Sequence, residues 1–570
     1  MPSCIRNVTI LMAALAAACL ASPARAQTKP VIVEGLALET GQTSYKIPKL
    51  TAEGTALTAL DIARIFDAKD AATVDERLAR LTATRILIPE MRAETKSGER
   101  QTLVVYRDVT LENVAAGRIG VMRAAAMEQS ATGKGAGRVE ARYSGLVAKG
   151  VDMRQFAHVI SAPRAEDKEA VKTIEEETSI ESVSILFPDA GLDIRLGRVA
   201  ASGLRARALA ESPLHLAERS PPSGASPTQE QSAAMALALV DALGSVEVGA
   251  IEARDISVVG LSAPANKPFA IKIGRVALNR LAAGTAQEAA VDNFSLESAD
   301  GGHIALRNLA LRGLDLNALV RPGERRTWKL DHAQLADLAA DLPDANSDGR
   351  IKFRIVGLSA DFANYRENVP TKIKARLDRF NIDLAARGDM PATAQFTALG
   401  YRDVEFSGDL QAEWREQGQE LVVDQLRLDS KDMGAITLAA SLGNVSAALF
   451  SSSPIVSKAA ALTMNATRLE VTLEGGGLID RLMEQDAKAG GGDIGKLRVA
   501  YAHDISSATS GFFDNSEKAR RIGDAAGKFI LRPKRLHIKL TAPKGIGALE
   551  AAMKKPGEIL NEVEVEAAAE

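Results

Sequence analysis

The chain of 570 residues is poor in the groups that most chemistry needs. Its two cysteines, Cys4 and Cys19, lie at the extreme N-terminus. Nothing beyond them can form a disulfide, act as a thiol nucleophile or give a thiolate to a metal. Aromatic residues make up 4% of the sequence, so Ala, Val, Leu and Ile must build any core. The six histidines, His158, His215, His303, His332, His503 and His537, include no metal-spaced pair, and no His-Glu-x-x-His helix motif occurs. There is no Gly-x-Ser-x-Gly elbow and no phosphate-binding loop. Neither sign of charge dominates, with 70 Lys and Arg against 73 Asp and Glu. Nucleic acid is therefore not an expected partner.

Apolar runs are scarce too, and the notable one is N-terminal. Arg6 precedes the stretch Ile10 to Leu20, which ends near Ala24-Arg25-Ala26. A basic residue, a short apolar run and a small-x-small site form a secretory signal peptide, with cleavage expected after Ala26. The run is short of the roughly 20 residues a membrane span needs, which weighs against an uncleaved anchor. Ala16 stands where a lipoprotein signal ending at Cys19 would carry Leu. The processed chain is expected to be periplasmic or secreted and free of cysteine, with 68 basic against 73 acidic residues, a formal charge of −5. Its stability must come from buried aliphatic area.

What is abundant is alternation. Ser179 to Leu186, Ile271 to Leu278 and Lys534 to Leu540 place apolar residues at every second position, the pattern of a strand with one buried face. Pro163 to Glu177, Gln229 to Leu243, His332 to Leu342, Gly477 to Ala489 and Asp514 to Ile530 read as helices. Gly475-Gly476-Gly477 reads as a strand-to-helix turn. The Pro- and Ser-rich stretch 219–229 reads as a loop or linker. These features divide the chain into a signal (1–26), an N-terminal β-rich repeat region (27–218), the linker, a second β-repeat region (230–450) and a C-terminal α+β segment (451–570).

The alternating segments also repeat. Asp292 to Leu306 aligns without a gap on Asp424 to Leu438, with seven of fifteen positions identical. Each copy holds two amphipathic strands around a polar turn, where Gly is expected to supply positive φ. His303 stands where the other copy has Ala435, which makes it a variable strand residue. Arg-Asp followed by an alternating strand occurs at Arg107, Arg254 and Arg402, spaced 147 and 148 residues apart. Gly-Arg followed by Ile or Val recurs at Gly117, Gly197, Gly274 and Gly349. Such repetition predicts stacked β units burying a continuous core.

Two segments invite binding. Asp344, Asn346 and Asp348 occupy alternate positions before Gly349. This resembles the first part of an EF-hand or dockerin loop, which implies calcium. The twelfth position is Ile355 instead of a carboxylate, and Asp361 is a more distant acid. The competing reading is an Asx-rich turn. Between Phe513 and Lys555, eleven Lys and Arg face four acids, a net +7, a candidate peripheral contact with anionic lipid or simply a solvated face.

The fold class expected is α+β and β-dominated: elongated, repeated antiparallel β-sheet units, groove- or solenoid-like, with interspersed helices and a more helical C-terminal segment. The stretches Val291 to Leu316 and Val423 to Val445 resemble the β-repeat portions of AsmA-like envelope proteins, over roughly residues 100–450. That resemblance implies a β groove with an aliphatic interior and a role in handling phospholipid or in outer-membrane assembly, with phospholipid or envelope proteins as expected partners; the missing motifs leave no cofactor expected beyond the calcium candidate. The family's members usually carry an N-terminal membrane anchor, where this chain has a cleavable signal. The leading expectation is a non-enzymatic periplasmic protein that holds lipid acyl chains. A closed-sheet structural or interaction protein and a hydrolase of unrecognised type are the alternatives.

Overall fold

The structure is a computed structural model. It describes residues 29–570 apart from 41–42, 68–69, 71, 98–99, 134–136, 167–168, 214, 217–227, 263–266, 318–328, 345–348, 368, 385–390 and 491. The expected signal, both cysteines and residues 219–227 of the expected linker lie outside the described residues. The protein is β-dominated and antiparallel, with interspersed helices and a helical C-terminal portion, as its alternation predicts. It divides into two compact units. One runs to Ala299 and adds Arg312–Arg326; the other comprises Asp300–Leu311 and Thr327–Glu570.

In the first unit the strands are β1 (Val31–Thr40), β2 (Thr43–Glu53), β3 (Ala83–Ser97), β4 (Arg100–Ala115), β5 (Arg118–Thr132), β6 (Val139–Asp152), β7 (Lys172–Ile180), β8 (Ser182–Phe187), β9 (Leu192–Leu196), β10 (Val199–Ala206), β11 (Val246–Ser262), β12 (Lys267–Ala282) and β13 (Thr285–Ser298). They form a meander. Successive long strands pair antiparallel from β1 to β6, and β11, β12 and β13 do the same. Between them, β7 and β8 both lie along β6, while β9 and β10 both lie along β11. Helices α1 (Ala59–Ile65), α2 (Val74–Leu78) and α3 (Met153–Ser161) add Ile62, Ile65, Leu78, Met153 and Phe156 to the buried cluster under the sheet. The Asp152 carboxylate caps α3 by accepting from the Arg154 and Gln155 amides, satisfying donors that a helix start leaves unpaired. Helix α4 (Gln229–Ser245) precedes β11.

These strands are creased. Asp108 on β4, Gly145 on β6, Asp255 on β11 and Asn293 on β13 have φ of 52, 63, 52 and 54°. They are left-handed residues in the middle of strands. A second set comprises Asn113, Gly150, Gly203 and Arg280, at 56, 62, 64 and 47°. The register is the same on either side, as with Glu90↔Arg107 and Ile88↔Val109. What changes is the phase of burial. On β5, which runs beside the creased β4, the buried positions are Met122, Ala124 and Ala126, then Met127, Gln129 and Ala131. One residue slips, and both halves of the strand reach the core. Asp and Asn tolerate this conformation better than most L-residues, and a small neighbour makes room for them. A Cβ on Gly274 would lie 3.1 Å from the Asn293 Cβ, and one on Gly197 would lie 3.1 Å from the Asp255 Cβ.

In the second unit the strands are β15 (His332–Pro343), β16 (Arg350–Arg366), β17 (Val369–Asp383), β18 (Asp403–Arg415), β19 (Glu420–Ser430), β20 (Gly434–Gly443), β21 (Asn465–Glu474), β22 (Arg535–Gly547) and β23 (Glu564–Ala569). Each pairs antiparallel with the next. Strand β14 (His303–Asp315) is shared between the units. The helices are α5 (Pro391–Ala398), α6 (Pro454–Leu462), α7 (Gly477–Gly490), α8 (Ile494–Phe512), α9 (Glu517–Leu531), α10 (Ala548–Met553) and α11 (Pro556–Glu562). Helix α9 packs against α8 through Gly527, where a Cβ would stand 2.8 Å from the Ala502 carbonyl oxygen.

Two expected helices are not helical. His332–Leu342 lies in strand β15. Its apolar residues fall at Ala333 and Leu335, then at Leu338, Ala340 and Leu342, because Asp337 has φ 48°. A crease turns a period of two into a spacing of three at one point, which imitates a helix. Residues 163–177 hold no α-helix among those described: α3 ends at Ser161, and β7 begins at Lys172. Sheet pairing on both sides of Glu175–Glu177 overrides the helix preference of a glutamate run. The helices expected near 229–243, 477–489 and 514–530 are present, and Gly475–Gly476 make the turn into α7.

Candidate functional site

The feature of the second unit that alternation alone builds is an amphipathic sheet. One lateral row reads Leu335, Leu358, Leu377, Gly408, Leu428, Ile436, Leu473, Leu536 and Ala569, one residue from each of nine strands in direct register. Two positions along, the next row reads Ala333, Ala360, Ala375, Leu410, Leu426, Leu438, Val471, Ile538 and Ala567. A third runs from Phe362 and Ile373 through Ala412, Val423, Ala440 and Leu469 to Leu540 and Val565. A bulge at Asp424–Gln425 slips β19 by one residue, which is why Val423 shares a face with Leu426 and Leu428. The Leu428 side chain folds over Gly408, its Cδ2 lying 3.0 Å from where a Cβ would sit.

The opposite face is charged. Arg427 donates to Asp429 at 2.8 Å and to Glu474 at 2.9 Å. Lys372 pairs with Glu413 at 3.0 Å and Lys539 with Glu566 at 2.5 Å. These are half-exposed pairs that contribute little each. Their effect is on orientation: the charged face belongs in water, so the apolar face must be covered by something else.

Only part of it is covered. At the β21–β23 end, α9 lays Ala519, Ile522, Ala525 and Phe529 over Leu473, Leu536, Ile538, Leu540 and Val565. Along one margin, Trp414 is closed over by Val445 and Phe450. Its indole N–H donates to the Val445 carbonyl at 2.8 Å. Along the other margin, Tyr401 and Val404 pack with Phe396, Met433 and Leu478, and the Arg481 guanidinium lies 4.1 Å over the Tyr401 ring. The floor between these borders is open. Leu358, Leu426, Leu428, Ile436 and Leu469 are 37 to 45% exposed. Every 100 Å² of such surface taken out of water is worth about 2.5 kcal/mol. Contiguous apolar surface of this kind marks a ligand groove or an interface.

The first unit repeats the arrangement on its last strands. Val258, Ile271 and Leu296 form one row and Ile256, Ile273 and Phe294 another. Beside them Arg275 donates to Glu252 at 2.7 Å and to Asp292 at 3.0 Å. The two arginines around Glu252 hold its carboxyl well below the usual range, at about 2. On the N-terminal side of the same unit, Glu175 of β7 is buried opposite Leu204 of β10, and its Oε1 has no hydrogen-bond partner. Burial pushes its carboxyl up to about 7.

The repeated motifs have resolved into structural roles. Asp108 and Asp255 of the Arg-Asp copies are crease residues, while Asp403 begins β18 with an ordinary backbone. Gly197 and Gly274 are the crease partners, whereas Gly117 (φ 75°) is in the turn from β4 to β5. Asp424–Leu438 is the β19–β20 hairpin, and Gly434 has φ 116°. In the other copy the positive φ belongs to Gly301. Of the calcium candidates, Asp344 follows β15 and its amide donates to the Gly349 carbonyl at 2.9 Å. Asn346 and Asp348 lie outside the described residues. His303 begins β14 and is exposed.

A protein-family model described as "Uncharacterized protein" matches residues 427–570, from within β19 to the C-terminus. No curated protein matches the chain.

Proposed function

We propose that this is a non-enzymatic envelope protein, exported from the cytoplasm, whose amphipathic sheets hold the acyl chain of a lipid. The observation that carries the reading is the open floor of Leu358, Leu426, Leu428, Ile436 and Leu469 within uninterrupted apolar rows. An acyl chain needs contact area and no directional bonds. The floor offers aliphatic side chains with no charge among them, backed by a charged face that holds the sheet the right way up. The borders provided by α9, Phe450 and Tyr401 limit where a chain can lie.

Native mass spectrometry of the full processed chain after gentle extraction tests this. A bound lipid mass is expected, and Leu428→Asp should remove it with the circular dichroism spectrum unchanged, since that side chain already touches water. A wild-type protein that carries no lipid and takes up no fluorescent fatty acid would show the floor to be a dry or protein-covered surface.

A further inference from the structure

Helices α6 and α10 leave their large apolar side chains in water. In α6 the buried position is Ala460, while Ile455 is 81%, Leu462 54% and Val456 43% exposed. In α10 no residue is buried; Met553 is 81% and Leu549 57% exposed. In α6 a small residue faces inward and the large apolar ones face outward, and in α10 Leu549 and Met553 are exposed along with every alanine, so neither helix hides its large apolar side chains as a helix on a globular surface does. The two helices pack against each other at the same end of the sheet. Strand β21 starts at Asn465 just after α6, and Asn465 pairs with Gly547 just before α10. Five large side chains thus share one tip of the second unit.

The charge around them is uneven. The carboxylates of α10 and α11 are already engaged. Glu550 and Glu562 both hold Lys554, and Glu558 accepts from the Lys555 amide at 3.2 Å. Lys458 on α6, Lys544 four residues before α10 and Lys555 two residues after it are all exposed.

We infer that this tip docks on an anionic lipid surface, with Ile455, Leu549 and Met553 entering the acyl boundary and Lys458, Lys544 and Lys555 meeting the headgroups. Short helices with outward apolar residues ringed by lysine suit an interface that is apolar below and negative above. The inference is independent of what the sheet floor holds.

The test is co-sedimentation of the full processed chain with vesicles of phosphatidylcholine alone or mixed with phosphatidylglycerol. Binding is expected to the mixed vesicles and to weaken with salt. Ile455→Ser with Met553→Ser should weaken it at least tenfold at an unchanged melting temperature. Lys458→Glu with Lys555→Glu should abolish the preference for the anionic vesicles. Lipid carried through purification should be the same in all variants, which separates this surface from the floor. Wild type that ignores both vesicles overturns the inference, as does a serine variant that binds like wild type. Loss of a dimer in the serine variant would assign the tip to a second copy and equally overturn it.

Discussion

Replacing Glu175 by Gln should make the first unit less sensitive to pH, by an amount the structure sets. Glu175 sits on β7 opposite Leu204 of β10, beside the buried Ile174, and its Oε1 has no partner. Two consecutive residues are buried here because the register of β7 against β10 shifts between Glu175↔Leu204 and Thr173↔Arg205, a bulge at Ile174. The phase slip carries a carboxyl to the core side. Burial raises its pKa from 4.5 to about 7. A folded pKa above the unfolded one means that the native state binds the proton more tightly, so stability falls as pH rises from 4.5 through 7. From pH 5 to pH 8 the loss comes to about 2.5 kcal/mol. For a unit of this size that is about 4 °C in melting temperature. Gln keeps the shape and cannot ionise. The pH 5 to pH 8 difference in opening free energy, read by hydrogen exchange at the amides of β6, β7 and β10, should shrink by that amount in Glu175→Gln. Identical pH dependence in the two proteins would refute the reasoning, because an ionised Glu175 would then be solvated or paired in the native state.

Gly150→Ala should cost about 1–2 kcal/mol, since φ is 62° and an L-residue is strained there, while the exposed Glu176 carboxyl can swing clear of the new Cβ; urea denaturation measures it. Asp255→Gly should be tolerated and Asp255→Val should lose about 1–2 kcal/mol by the same assay, because only the second forces a β-branched residue into left-handed backbone. Asp152→Ala removes both cap bonds of α3 and should cost about 1 kcal/mol in a thermal melt. Gly527→Val should push α9 off α8, costing roughly 1–3 kcal/mol and speeding proteolysis of the C-terminal helices.

Strands with uninterrupted alternation were legible in the sequence, and so was the Asp424–Leu438 hairpin, because period two and turn chemistry are local. His332–Leu342 was misread because Asp337 breaks the period, and a broken period of two cannot be told from a helix without knowing the crease. The crease did leave a trace, in Asp108 and Asp255 of the Arg-Asp copies and in Gly197 and Gly274, but the reason for it lies on the neighbouring strand. The candidate site was visible only as an abundance of aliphatic residues. That Leu358, Leu377, Leu428 and Ile436 stand side by side depends on register and on the bulge at Asp424–Gln425, which pair residues far apart in the chain. The border at Trp414 and Phe450 is non-local in the same way.

The meander has a consequence for how such a chain can change. Because, among the described residues, each strand from β15 to β23 pairs only with its neighbours in sequence, a hairpin can be lost or gained without disturbing the register of those that remain. Each connection, whether a tight turn or a helical segment such as α7 to α9 between β21 and β22, joins adjacent strands, so nothing has to be rethreaded. An even number of strands preserves the direction of every later one and keeps its apolar residues on the same side. The extent of the apolar floor is thus a quantity that duplication can tune in steps of two strands, and the similarity between Asp292–Leu306 and Asp424–Leu438 is what such a step would leave behind.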